Sequence, residues 1–163
     1  MSATIVVVQR SGIGYSASDV AKALFYFLPI DSNVEEPADN PVEAPAAGTV
    51  YSYELWLKFR VDVAPSTQCN EFKIWTSGSL TLGNNITINT TDISTYTAPV
   101  NSKSNKGTRA DVTDYTSENK LSIAGTLVNI GDVSNYMVFQ LELSSLAVAG
   151  DENFTIYYQY TET

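Results

Sequence analysis

Histidine is absent from this 163-residue chain, and cysteine occurs once, at Cys69. The first absence removes the commonest general base, the commonest transition-metal ligand and every serine–histidine triad. The second excludes an intramolecular disulfide and a cysteine-built zinc site. With no imidazole to activate it, Cys69 reads as a packed or half-exposed thiol rather than a nucleophile. Positive charge is scarce too: nine Lys and Arg face eighteen Asp and Glu, a net charge of −9. Nucleic acid and anionic membranes both require cations on the protein, so neither is an expected partner. The acid surplus reads as solubility and resistance to self-association. No apolar run approaches the roughly 18 residues of a membrane span. The opening "MSATIVVVQRSG" lacks the basic start and longer apolar core of a secretory signal. The chain is expected to be soluble and made in the cytoplasm.

Motifs that carry chemistry are missing as well. "SGIGYS" (11–16) has two glycines, but neither the later Gly-Lys of a P-loop nor the third glycine of a dinucleotide fingerprint. It reads as a turn. Asp111, Asp114, Glu118, Asp132, Asp151 and Glu152 fall in loops, with no spacing that marks two of them for glycoside hydrolysis. Calcium would need more than "GDVSN" (131–135) or "GDE" (150–152), which lack the EF-hand loop and read as solvated turns. The Asn-X-Thr matches at Asn85, Asn89 and Asn153 are what chance gives in a chain rich in both residues. No catalytic residue, metal ligand or cofactor site is assigned, and no enzyme is expected.

What the chain does have is β-forming composition: ten tyrosines, six phenylalanines and abundant Val, Ile and Thr. "YSYELWLKFRVDV" (51–63) alternates Tyr51, Tyr53, Leu55, Leu57, Phe59, Val61 and Val63 with Ser52, Glu54, Trp56, Lys58, Arg60 and Asp62. That is the period of a strand with one dry face. "NEFKIWTSG", "NNITINT", "KLSIAGTLV", "NYMVFQLELSSL" and "NFTIYYQYT" follow, each near turn residues. In the last, Phe154, Ile156, Tyr158 and Tyr160 share a face. Between them, 92–120 is long and polar, an extended excursion with one or two short elements. Antiparallel strands with one dry face each must bury those faces together. The expected fold is all-β: a two-sheet antiparallel β-sandwich, jelly-roll or immunoglobulin-like, over 49–163.

Residues 1–48 read differently, as an N-terminal arm and connector. "TIVVV" (4–8) is a strand, either buried or added to an edge. The stretch 9–30 fits a helix capped by Ser16 or Ser18 and running through Val20, Ala21, Leu24 and Phe25, or a short strand "KALFYFLPI" after a turn. The strand is preferred for its aromatic content. Then "DSNVEEPADNPVEAPAAGT" (31–49) is acidic and broken by Pro37, Pro41 and Pro45.

The segment 72–102, "FKIWTSGSLTLGNNITINTTDISTYTAPVNS", resembles small β-rich virion structural proteins of tailed phages and prophages. The resemblance lies in Phe72-Lys73-Ile74-Trp75, the turn from Gly78 to Gly83, Ile86-Thr87-Ile88 and Tyr96-Thr97-Ala98-Pro99-Val100. "SNYMVFQLEL" and "FTIYYQY" extend it, so that it spans 50–163 without a catalytic motif. It implies a structural role in a virion, as a capsid decoration protein or otherwise in neck or tail, with other virion proteins and further copies of itself as partners. The aromatics Trp56, Trp75 and Tyr157 on the polar faces leave other readings open. They could be covered by the arm, meet a protein partner, or stack on sugar rings in a carbohydrate-binding module. An unpaired "TIVVV" needs a sheet edge, its own or a neighbour's. The neighbour is favoured, which makes Ile5, Val7, Trp56, Lys58 and Trp75 the expected interface.

Overall fold

A computed structural model describes residues 2–12, 18–32, 41–77, 80–82, 84–150 and 154–163. Among the described residues ten strands follow in order: β1 (Thr4–Ser11), β2 (Ser18–Ala21), β3 (Thr49–Tyr51), β4 (Leu55–Val63), β5 (Cys69–Ser77), β6 (Asn84–Asn89), β7 (Arg109–Asp111), β8 (Leu121–Ile123), β9 (Met137–Ser144) and β10 (Thr155–Glu162). The larger sheet has the order β2-β1-β4-β9-β6-β7, with β3 also on β9; the smaller has the order β10-β5-β8. All pairings are antiparallel. The fold is the two-sheet β-sandwich that the alternation demands.

The two sheets meet over Leu55, Leu57, Phe59 and Val61 from β4, Phe72 and Ile74 from β5, Ile86 and Ile88 from β6, and Met137 and Phe139 from β9. The odd positions of β4 are thus the dry face, and each such side chain contributes about 1.5–3 kcal/mol on burial. Phe59 and Phe72 stack across the interface with centroids 5.0 Å apart. Of the seven alternating positions, Val63 lies at an exposed strand end, 39% accessible.

The long run 51–63 is two strands rather than one. β3 pairs Val50 with Leu143, and β4 pairs Leu55 with Phe139. The sums of the paired numbers differ by one, so a bulge lies between. Its cause is visible in the hydrogen bonds. The Tyr53 N–H donates to Leu28 O and the Glu54 N–H to Val100 O, so both turn away from β9 to loops.

β1 corrects the arm expectation. It pairs with β4 of the same chain from Thr4↔Val63 to Arg10↔Trp56, and Ile5 joins the main core at 6% exposure. Of the two placements open to "TIVVV", the structure has the sandwich's own edge rather than a neighbour's. The segment 22–28 forms neither the helix nor the strand expected there. Phe25 and Phe27 instead pack side-on against the core without a ladder partner.

The order β1-β4-β9-β6, with β5 beside β10 in the second sheet, matches the A-B-E-D and C-F arrangement of immunoglobulin sandwiches. The last position of that arrangement, G, would lie beside β10. Among the described residues no strand takes it.

Candidate functional site

Trp56 sits on the outer face of the larger sheet but is fully buried. Segment 91–108 folds over that face and makes a second, small core. Tyr96 and Tyr136 meet the indole edge-on at 5.1 and 5.2 Å. Its Nε1 donates to Glu54 Oε2 at 3.1 Å, and Ser104 Oγ donates to the other carboxylate oxygen. Gln140, also fully buried, donates to Ser52 O and Ser102 O and accepts from the Ser104 N–H. Arg109 donates to Val138 O and to Thr87 O and Oγ1; burial lowers its guanidinium to about 10, still charged near neutrality. These polar groups fasten a lid to a sheet. None is aimed at open space.

Lys58 is likewise inside. Its Nζ is 2.7 Å from Asp19 Oδ2 of β2, and its side chain is only 5% accessible. Arg10 meets the same carboxylate at 2.9 Å and lies over the Tyr96 ring. Burial pushes Asp19 up, but the two cations outweigh it and hold the carboxyl below its ordinary range. The pair locks β2 to β4.

An apolar cleft of about 520 Å³ lies between the two sheets, where β1 and β10 diverge. Ile5, Val6 and Val7 form one wall, and Ile156 and Tyr158 the other. Residues 21–23 and Phe25 lie at the mouth, while Phe59, Ile74 and Phe139 form the floor. One end is tied shut by Ala3 N–H to the Glu162 carboxylate at 2.9 Å and Tyr160 Oη to Ala3 O at 3.4 Å. Near the other, Phe27 and Phe154 stack at 6.4 Å. Tyr158 bridges part of the gap, its hydroxyl donating to Ile5 O at 3.3 Å and its ring tilted 5.3 Å from Phe59. Lys22 is the one charged side chain among the lining residues. The cleft has a size that binds ligands, yet it presents no acid–base pair or nucleophile. It can accept apolar side chains and, along β10, backbone hydrogen bonds.

A third feature lies on the outer face of the smaller sheet. Trp75 of β5 stacks on Tyr157 of β10 with centroids 5.6 Å apart and planes within 14°, and Lys120 sits 4.3 Å above the indole. Lys120 is anchored by Gln159 Oε1 at 2.6 Å. Tyr157 is 44% exposed.

Of the five expected interface residues, Ile5, Trp56 and Lys58 are buried within the chain, against the expectation that they meet a partner. Ile5 faces the main core between the sheets, Tyr96 and Tyr136 cover Trp56, and Asp19 of β2 with Tyr136 encloses Lys58. Val7 lines the cleft, and Trp75 remains half-accessible. Reading the sequence missed Ile156 and Tyr158 as cleft residues. Their signal was the uncharged run "TIYYQYT" in the last strand. Among the carboxylates weighed, Asp132 accepts from the Val128 and Asn129 N–H groups, which close a turn and hold its carboxyl low. Asp111 caps the 3-10 turn Val112–Asp114 through the Thr113 N–H. Asp151, Glu152, Asn153, most of "SGIGYS" and the connector stretch 33–40 lie outside the described residues. Among the described residues no cluster of three His, Cys, Asp or Glu could hold a metal, and no helix is long and apolar enough to cross a membrane.

Comparison with models of known protein families, with curated proteins and with solved structures finds no match to this chain.

Proposed function

We propose that this chain is a non-enzymatic structural component of a tailed-phage virion, on the capsid exterior as a decoration protein, or otherwise in the neck or tail. The observation that carries the reading is the eight-residue strand β10 with an open edge beside an apolar cleft. Edges of this kind join chains; they do not turn over substrates. The resemblance of 72–102 to phage structural proteins supports the virion setting, with other virion proteins and copies of itself as partners. Manufacture in the host cytoplasm and residence in the particle go with that role.

The test is add-back. Particles assembled without the protein are mixed with purified protein and recovered on a density gradient. A decoration protein binds at saturable, symmetric stoichiometry. Recovery of unbound protein alone refutes the capsid placement.

A second reading, a carbohydrate-binding module, is favoured by the stacked Trp75–Tyr157 pair with Lys120 above it. Flat aromatic surface flanked by polar donors suits a sugar ring. Glycan-array binding that disappears in Trp75→Ala supports it over the virion role.

A further inference from the structure

We propose that β10 is the contact strand of a homodimer, its open edge pairing antiparallel with β10 of a second copy about a two-fold axis. This deepens the assembly reading, on which it rests, by naming the partner and the strand. The outermost strands differ sharply in how they are protected. β2 has four residues and carries the paired Asp19; β7 has three, including Arg109 and Asp111; β8 has three. β10 has eight, and its residues 155–161 include no charge and no proline. Natural edges are blunted by shortness, charge, proline, bulges or cover; over Thr155–Gln159 this one has none of these among the described residues, its irregularity and its one acid, Glu162, lying beyond.

The second copy is the occupant that the charges favour. In a chain of net charge −9, this edge is a neutral surface, so two copies meet there without like-charge contact. The one acid of the strand, Glu162, is turned to the Ala3 N–H and Ser2 Oγ. An antiparallel pair with its axis normal to the sheet keeps inward residues on one side. The register must therefore centre on a residue, not between two. Centred on Tyr157, it opposes Ile156 to Tyr158 of the second copy on the cleft side, and Tyr157 to its counterpart on the outer side. It also ends before the irregularity between Gln159 and Thr161. Aromatic and β-branched residues facing across strands are the favourable pairs of antiparallel sheets. The two clefts then merge beneath one continuous sheet of six strands.

The experiment is sedimentation velocity of the full chain through the micromolar range, with hydrogen exchange read on 155–160. The wild type should dimerise, and exchange over β10 should slow as concentration rises. Tyr157→Lys sets two ammonium groups opposite each other at the axis from an exposed position, and should weaken the dimer roughly tenfold. Tyr157→Phe should leave it intact. A wild type that stays monomeric overturns the homodimer. So does a dimer indifferent to Tyr157→Lys, or β10 exchange equally slow at every concentration, which would mean the chain covers its own edge. A monomer that still joins particles would overturn this inference alone and leave the virion role standing.

Discussion

Replacing Trp56 by alanine separates two accounts of the same residue. As a partner-facing aromatic on a polar strand face, it would contribute almost nothing to the stability of the free protein. In the structure it is fully buried, contacts Tyr96 and Tyr136 edge-on, and donates to a buried carboxylate. Losing the indole leaves a large cavity between sheet and lid, at about 3–5 kcal/mol. Glu54 keeps Ser104 but loses one donor, adding about 1 kcal/mol. The total of about 4–6 kcal/mol is a large part of the ~5–15 kcal/mol available to a typical domain. At about 2–4 °C per kcal/mol for a chain of this size, Tm should fall by roughly 8–24 °C. Thermal and urea unfolding followed by circular dichroism measure it. A Tm within about 2 °C of wild type would refute the buried lid core.

Asp19→Asn strands the Lys58 ammonium and should cost about 1–3 kcal/mol in urea unfolding, discounted because Asp19 is a quarter exposed. The Asp19 carboxyl lies below its ordinary range when folded, so its contribution is complete above the unfolded value of ~3.9 and fades as pH falls through the folded one. The Asn variant should therefore lose less stability than wild type on acidification, and parallel pH profiles would count against the pair. Gly107→Ala forces a side chain into a backbone with φ +63° and its Cβ against Thr91 Oγ1, so it should destabilise by about 1–3 kcal/mol, where no change in urea midpoint would contradict the turn geometry. Cys69 is fully buried, and burial together with Glu162 raises its thiol, so alkylation should track global unfolding. Rapid labelling of the native protein would show the thiol is accessible.

The dry face of β4 was legible because alternation over Leu55, Leu57, Phe59 and Val61 has one structural meaning. The break before it was not. Ser52 and Glu54 look like ordinary polar-face residues until the loops at Leu28 and Val100 take the backbone N–H groups at 53 and 54. Trp56 misled for the same reason: its covers, Tyr96 and Tyr136, are forty and eighty residues away, and local period cannot report a lid. The segment 22–28 has strand composition but no partner, so its phenylalanines plug the core from the side. The β1 strand was legible as a strand, while its choice of edge depended on the register with β4. The cleft was not legible at all, because it arises from the spacing of two edges rather than from any residue run. The uncharged run "TIYYQYT" (155–161) that borders it is plain in the sequence.

The central claim is that this chain is a building block of a particle, and copy number measures it directly. Particles purified by successive gradients are analysed by quantitative mass spectrometry against the major capsid protein. The account predicts a fixed ratio of many copies per particle that survives each gradient. A chain that is lost on purification, or found only in the soluble fraction of the host, would contradict it.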